Sequence, residues 1–399
     1  MKLVPTAANV KFRLELREFI AANHPGRPPA DIAERFEWRK DWARTLAKHG
    51  FAAPSWPKEY GGMDLDALST YIYHEEFTKA GCPMHPNRNG LSIAGPTIIR
   101  HGTEEQKRRY LAPMLGADEF WCQGYSEPEA GSDLASLRTT AVHDGDDYVL
   151  NGQKIWTTHG HHSDWMFALV RTGSSDFRLR REGISFLLID LKSPGVDVRP
   201  LREMSGGEHF AEVFFTDVKV PRANLVGEEN RGWYIARTSL GFERSTAFIA
   251  DEITYGRLVD QLLELSKEYG TNADPLVRQE LVRLWGDVKI ARERGLDVLR
   301  NVLEHGEPGP GSSINRLAHT LFQQRLFEVA AKVMGPDALL HHDDPRSPKH
   351  GKFQRQLLLS RAATFGGGTS EIQKNVIAEQ ILGLPREPEI VPQLTGASA

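Results

Sequence analysis

The chain has 399 residues, of which 40% are hydrophobic, enough for two or three globular domains with a sizeable core. A formal net charge of −4 argues against strong attraction to nucleic acid or to an anionic membrane. Two cysteines provide neither a disulfide framework nor a metal cluster. Adjacent histidines, at 159, 161 and 162 and at 341 and 342, rarely converge on one ion without other ligands, so no metal site is predicted. The first residues lack a signal-peptide core and no apolar run could span a membrane, so we expect a cytoplasmic protein.

Residues 1–120 are predicted to form a helical domain. Apolar residues recur at near-helical spacing in Phe12–Ile20 and Trp38–Leu46, and a further helix is expected from Leu68 to about Ala80. Thr103-Glu-Glu-Gln106 has the spacing of a capping box, which predicts the start of another short helix.

Residues 121–228 are predicted to form a β domain, because the period of the apolar pattern changes from helical to alternating. Asp144-Gly145 is typical of a turn between two strands. The predicted strands are Leu137–Val142, Tyr148–Thr157, Trp165–Val170, Ile184–Leu191 and Phe210–Val220.

Residues 229–399 are predicted to be helical again. The run Trp233–Tyr269 contains no proline and is compatible with one long helix. After a Pro-Gly break, Ser312 or Ser313 is predicted to cap the next helix, which extends to about Val333. A last helix is expected over Ser370–Leu382, with Ser370 and Gln373 at capping-box spacing.

The most informative stretch is Trp121–Asp133, which reads Trp-Cys-Gln-Gly-Tyr-Ser-Glu-Pro-Glu-Ala-Gly-Ser-Asp. It begins like a strand and continues with small and polar residues around Pro128 and Gly131. Such a segment lets backbone N–H and C=O groups approach a flat ligand closely. From composition alone, an ordinary strand followed by a Pro/Gly loop is the favoured interpretation.

The pattern Ser-Glu-Pro-x-Ala-Gly-Ser-Asp resembles the flavin-binding signature of the acyl-CoA dehydrogenase family. Four further stretches resemble the family and follow its order: Asn151–Thr158, Val220–Glu228, Leu240–Arg244 and Gly367–Gln373. The resemblance implies a mainly α protein with a β middle domain. Its expected parts are an N-terminal helical domain (1–120), a central β-barrel-like domain (121–228) and a C-terminal four-helix bundle with a loose tail (229–399).

The resemblance also implies that the chain binds FAD. Trp156 would pack against the flavin ring, and Ser126 and Thr158 would hydrogen-bond near its N5 and pyrimidine edge. The alternatives are a plain core tryptophan at position 156 and a merely flexible loop at the C-terminal glycine run. The residues that match the family's flavin contacts are Gln123, Tyr125, Ser126, Gly131, Ser132, Trp156, Thr157, Thr158, Gly368, Thr369 and Glu371.

Two stretches depart from the family pattern. The family usually carries an Arg-x-x-Phe-Gly segment that reaches the flavin of a neighbouring subunit, but here the corresponding region is Glu268–Pro275. Its Gln-x-x-Gly-Gly segment is likewise replaced by Lys332–Pro336. The inter-subunit contacts are therefore left open, and both a homotetramer and a heterotetramer with a paralogous chain remain compatible with the sequence.

Glu243 is the predicted catalytic base. In many family members a glutamate directly precedes the C-terminal Gly-Thr, but that position is Gly367 here. Glu243-Arg244 instead resembles the isovaleryl-CoA dehydrogenase branch, although two adjacent charges on a helix are often simply exposed. The resemblance further implies that the backbone N–H of Gly367 polarises the thioester carbonyl, and that Ser132, Glu243 and Arg244 contact the substrate.

Together these features predict an FAD-dependent acyl-CoA dehydrogenase that makes a trans-2-enoyl-CoA and passes electrons to an electron-transfer flavoprotein. The alternatives are an acyl-CoA oxidase, a flavin-dependent monooxygenase of the same fold, and a non-catalytic or co-catalytic subunit of a heterotetramer. The sequence leaves the acyl group open among short branched chains, sterol side chains and ring-containing acids.

Overall fold

The structure is a computed structural model that describes residues 5–29, 32–174, 181–246, 251–306, 308–341 and 344–386; side chains at 32–33, 240–246 and 251 are not described. Its element order is helical, then β, then helical again. The predicted fold class is therefore confirmed. Within the described ranges, no helix is both long and apolar enough to cross a membrane.

The N-terminal part is helical, as predicted. Thr103 accepts a hydrogen bond from the backbone N–H of Gln106 (3.2 Å), and the Gln106 side chain accepts one from the N–H of Thr103 (3.1 Å). This reciprocal pair confirms the predicted capping box. The helices are α1 (Ala7–Asn23), α2 (Ile32–Lys48), α3 (Ala67–Ala80), α4 (Gly95–His101) and α5 (Glu104–Leu115).

The described residues of the middle part form a seven-stranded sheet. The strands are β1 (Trp121–Gly124), β2 (Thr140–Asp144), β3 (Asp147–Thr158), β4 (Trp165–Arg171), β5 (Ile184–Asp190), β6 (Val196–Leu201) and β7 (Phe210–Pro221). Their order is β1-β4-β2-β3-β7-β6, with β5 paired to β4. Both faces of β4 are buried, because one face packs against residues of the helices and the other packs against side chains of the other strands.

Two predictions about the strands need correction. The strand predicted from Leu137 begins at Thr140, because Leu134–Ser136 forms a 3-10 turn before it. β6 was not predicted, since among the residues that the structure describes it pairs with β7 alone, its residues are partly or fully exposed, and it contains Pro200. Proline and weak burial are typical of an edge strand, and they remove the apolar pattern by which strands are recognised.

The C-terminal part is helical. Its helices are α6 (Gly232–Thr246), α7 (Asp251–Glu268), α8 (Pro275–His305), α9 (Gly311–Met334), α10 (Lys352–Leu359) and α11 (Ser370–Val376). Helices α7, α8 and α9 share one apolar core with Phe353 of α10. The predicted helix Trp233–Tyr269 is helical over 232–246 and 251–268, while residues 247–250 lie outside the described ranges.

Two predicted helix caps are wrong. The turn that begins α9 already includes Ser312 and Ser313, and the Ser312 hydroxyl donates back to the carbonyl of Gly309 (2.9 Å). α11 is capped by Thr369 rather than by Ser370, because Thr369 is extended and its hydroxyl accepts from the N–H of Ile372 (3.2 Å). The predicted span to Leu382 continues beyond Val376 as a π-helical turn, and the tail after residue 386 lies outside the described ranges.

Candidate functional site

The two strand segments that resemble flavin-binding stretches lie side by side. The loop that follows β1 returns along β3, where the backbone N–H of Ile155 donates to the carbonyl of Ser126 (3.0 Å). A Cβ on Gly124 would lie 2.2 Å from the sulfur of Met166, so only glycine allows β1 to pack this tightly on β4. The fold therefore brings Gln123–Ser126 together with Lys154–Thr158.

A buried ion pair fixes this junction. The Nζ of Lys154, whose side chain is 0% exposed, lies 2.8 Å from a carboxylate oxygen of Glu127. Burial works to raise the pKa of Glu127, but Lys154 and neighbouring donors outweigh it, and the pKa lies below its usual range. The carboxylate is therefore charged at neutral pH despite its burial.

The same ion pair also ties down the backbone. The Glu127 carboxylate accepts from the N–H groups of Arg138 (2.6 Å) and Thr139 (2.9 Å), and Lys154 donates to the carbonyl of Tyr125 (3.2 Å). These bonds hold the loop after β1 against both β3 and the approach to β2. This role was not predicted, although Lys154 is the one charged residue of Asn151–Thr158 and the charged residues of Trp121–Asp133 are all acidic, which could have suggested a pair.

Trp156 is unusual in both conformation and exposure. Its φ is +60°, a left-handed backbone conformation that bulky residues rarely adopt, and it lies at a shift in the β3–β7 register. The side chain is 60% exposed, and its ring meets Phe210 edge-on at 5.9 Å between centroids. The interpretation of Trp156 as a plain core residue is therefore wrong. Strain of this kind is found mainly at ligand sites.

Two polar atoms of these paired segments are buried and, among the described residues, have no hydrogen-bond partner: Nε2 of Gln123 and the hydroxyl of Thr157. Leaving such a group unsatisfied costs about 1–3 kcal/mol, so a bound ligand is a natural partner. One amide donor, one hydroxyl and an exposed indole suit the edge and the face of a flat heteroaromatic ring. The residues present therefore fit a flavin.

The other predicted residues of these segments have different environments. Gly131, Ser132 and Thr158 are exposed. The side chain of Tyr125 is buried, and its hydroxyl lies 2.7 Å from that of Ser239 on α6. Only the backbone of Tyr125 thus remains for a ligand, while its ring joins β1 to α6.

Glu243 and Arg244 lie in α6, the helix that also carries Ser239 one turn earlier. α6 packs against β5, β4 and the π-helical turn Gly90–Ala94. The backbone of the predicted base is therefore in a helix that borders the sheet, and the Tyr125–Ser239 hydrogen bond connects this helix to the loop after β1.

The third segment that resembles a flavin-binding stretch, Gly367–Gln373, lies in the C-terminal part of the chain. Gly367 and Gly368 have φ values of +64° and +95°, which glycine adopts readily. Arg316 of α9 donates to the carbonyls of Gly366 and Ala363, the latter at 3.4 Å. Thr369 caps α11, which packs against α9, and Glu371 is exposed. The described hydrogen bonds thus hold this segment to α9 rather than to β1 or β3.

A group of histidines follows β3. His159 has a φ of +55°, and its ring centroid lies 6.3 Å from those of His162 and His209. Burial, together with the nearby charges of His209, Arg39 and the neighbouring histidines, lowers the pKa of His159 to about 4, so this ring is neutral at pH 7. In the described part of the chain, no group of three or more His, Cys, Asp or Glu side chains is placed to hold a metal ion.

Three family models match the chain in sequence. They are described as the acyl-CoA dehydrogenase N-terminal domain (residues 6–118), middle domain (122–218) and C-terminal domain (230–382). Together they span nearly all of the described chain.

Individual relatives agree with the family models. Acyl-CoA dehydrogenase IpdE1 of Mycobacterium tuberculosis is 38% identical over 385 residues, which cover 94% of this chain and 98% of the relative. Acyl-CoA dehydrogenase FadE26 of the same organism is 34% identical over 403 residues, covering 97% and 99%. These relatives do not support the predicted likeness to the isovaleryl-CoA dehydrogenase branch.

Solved structures show the same fold. The protein titled Tcur3481-Tcur3483 steroid ACAD has a TM-score of 0.83 at 28% identity and covers 97% of this chain and 100% of its own. A chain of the ChsE4-ChsE5 complex from Mycobacterium tuberculosis has a TM-score of 0.81 at 31% identity, with the same coverage.

Proposed function

The chain belongs to the acyl-CoA dehydrogenase family and is an oxidoreductase of that class, and from this premise we propose that it binds FAD and converts an acyl-CoA to a trans-2-enoyl-CoA. The observation that carries this proposal is the junction of β1 and β3. The paired segments there carry the exposed indole of Trp156 and the unsatisfied polar groups of Gln123 and Thr157. When bound, the flavin would accept the hydride from the β-carbon of the substrate.

The roles of the chain's own residues follow from this proposal. Glu243 takes the α-proton of the thioester, and a carboxylate does this best in a dry environment. The backbone N–H of Gly367 donates to the thioester carbonyl as negative charge develops on it. Ser132 and Arg244 contact the substrate. On this proposal, residues 1–120, 121–228 and 229–399 are the three domains that enclose the site.

The proposed substrate class follows from the absence of a side chain at Gly367. A glycine there leaves space where many family members carry a carboxylate side chain, close to the reacting carbons. We therefore propose a branched or ring-containing acyl group. One solved relative is titled a steroid ACAD, which supports a bulky acyl group for this chain as well.

The proposed electron acceptor is an electron-transfer flavoprotein, and the proposed assembly is a tetramer of identical or paralogous chains. A co-catalytic subunit of a heterotetramer is the second candidate function. The replaced inter-subunit segments at 268–275 and 332–336 favour this second candidate. The solved complex of two different chains, ChsE4 and ChsE5, supports it as well.

Anaerobic reduction by substrate tests the proposed function. We expect the purified protein, alone or with its paralogous chain, to be yellow and to bleach on addition of a bulky acyl-CoA. A panel of straight, branched and ring-containing acyl-CoAs would identify the acyl class. A protein that takes up no FAD, alone or with the co-expressed partner, contradicts the proposal, whereas bleaching only in the presence of the second chain favours the co-catalytic role.

Replacing Trp156 by alanine should weaken FAD binding on the order of tenfold, because the flavin ring loses its packing contact with the indole. The apoprotein loses only an exposed side chain, so its stability should change little. The change is measured by titrating apoprotein with FAD and following flavin fluorescence. Val142→Ala, at a similarly exposed apolar residue of β2, is the control. Equal FAD affinity in both variants would contradict the assigned role of Trp156.

Trp285→Glu should disrupt the tetramer. Trp285 is 51% exposed on α8, and Val282 on the same helix and Leu321 on α9 are exposed as well. A soluble protein seldom leaves so many apolar side chains uncovered on adjacent helices, so we expect them at a subunit contact. Light scattering should show a smaller particle for Trp285→Glu and an unchanged one for Leu14→Glu, a similarly exposed leucine of α1. If both variants keep the mass of the wild-type particle, the subunit contact does not involve Trp285.

A further inference from the structure

The peptide group between Gly366 and Gly367 is held by a charged side chain. Arg316, on α9, donates a hydrogen bond to the carbonyl oxygen of Gly366 and a second, at 3.4 Å, to that of Ala363. The carbonyl of Gly366 and the N–H of Gly367 belong to one planar unit and point in opposite directions. Whatever fixes the oxygen therefore also fixes the direction of the N–H.

From this contact we propose that Arg316 is a positioning residue for the reaction: it orients and polarises the peptide whose N–H meets the thioester carbonyl. The inference rests on the proposed function, which assigns that N–H, at Gly367, to the carbonyl of the substrate. Arg316 itself acts through the peptide group.

The local backbone needs such a restraint. Gly366, Gly367 and Gly368 are all exposed and carry no side chain that could anchor them. On the incoming side, the N–H of Gly366 donates to the carbonyl of Ala362 (3.1 Å). On the outgoing side, the carbonyl of Gly366 is held by Arg316. Because glycine has wide backbone freedom, loss of this bond would let the Gly366–Gly367 peptide rotate and turn its N–H away.

The charge of Arg316 also matters. A hydrogen bond from a cation draws electron density towards the carbonyl oxygen and makes the N–H of the same peptide a stronger donor. This effect is greatest when the acceptor is the oxygen of an enolate-like transition state. Both hydrogen bonds come from Nη2, so one nitrogen of the planar guanidinium bridges the carbonyls of Ala363 and Gly366. A lysine would supply the charge on a flexible ammonium group without the fixed direction of a guanidinium N–H.

The test compares Arg316→Gln and Arg316→Lys with Arg325→Gln in the FAD-loaded protein, with its paralogous chain where activity requires it. Arg325 is the matched control, since it lies on the same helix and pairs with Asp287 (3.2 Å) away from the glycine segment. Stopped-flow reduction by acyl-CoA measures the chemical step. Infrared difference spectra of bound enoyl-CoA, labelled with ¹³C at the thioester carbonyl, measure carbonyl polarisation independently of turnover.

We expect Arg316→Gln to slow flavin reduction on the order of ten- to a hundredfold, with a much smaller change in KM and unchanged FAD content. The labelled carbonyl stretch should move towards its frequency in water, and Arg316→Lys should fall between wild type and Arg316→Gln in both measurements. The inference is overturned if Arg316→Gln matches Arg325→Gln in rate and spectrum. It is also overturned if a rate loss leaves the carbonyl frequency unchanged. If the wild type, with or without its partner, is not reduced by any acyl-CoA, the proposed function itself fails.

Discussion

Replacing Glu243 with glutamine is expected to slow acyl-CoA-dependent flavin reduction by at least ~10²-fold, the lower range for loss of a general base. Glutamine keeps the shape of the side chain but has no basic oxygen to take the α-proton. FAD content and ligand binding should therefore remain nearly intact. Anaerobic stopped-flow absorbance at the flavin band measures the rate, and titration with a non-reactive acyl-CoA analogue measures binding.

Glu264→Gln is the control for this substitution, because Glu264 is an exposed carboxylate on the next helix, α7. Introducing Gly367→Glu into the Glu243→Gln variant should restore part of the activity, and mainly on straight chains, since the new side chain fills the space proposed for a branch or ring. Near-normal reduction by Glu243→Gln alone would show that another carboxylate is the base.

Residue patterns predicted the order of the three parts, most strand positions and the capping box at Thr103. These features depend on local periodicity and on hydrogen bonds three residues apart, both of which are visible in the sequence. The start of α11 shows the limit of such patterns. Thr369 and Ser370 are both good capping residues, and only the extended backbone of Thr369 decides between them.

The missed features depend on contacts between distant residues. Position 156 is apolar in an alternating strand, and nothing local predicts that a register shift gives it a positive φ and exposes its ring. Burial statistics for tryptophan favoured the core, whereas the side chain is 60% exposed, and its contact with a flavin remains a prediction from the family resemblance. Arg316 and Gly366 are 50 residues apart, so their contact requires the packing of the C-terminal domain.

The Glu127–Lys154 pair is the clearest case of a contact with large energetic consequences. Lys154→Met should destabilise the protein by about 3–5 kcal/mol, because it leaves the carboxylate of Glu127 buried without its cation. The loop after β1 would lose its anchor, so FAD retention should fall as well. Urea unfolding followed by tryptophan fluorescence measures the stability, and flavin absorbance after gel filtration measures retention.

A surface ion pair provides the matched control for this substitution. Lys192 lies 2.7 Å from Asp164 with 74% of its side chain exposed, so Lys192→Met should cost less than about 1 kcal/mol of stability.

The loss of stability in Lys154→Met should also depend on pH. In the wild type, the lowered pKa of Glu127 means that its stabilising effect is present at neutral pH and is lost as pH falls through the folded-state pKa. Without Lys154 the buried carboxyl favours its protonated form, so the deficit relative to wild type should be larger at pH 8 than at pH 5. Equal stability of Lys154→Met and Lys192→Met at pH 8 would contradict the role of the buried ion pair as the anchor of the loop after β1.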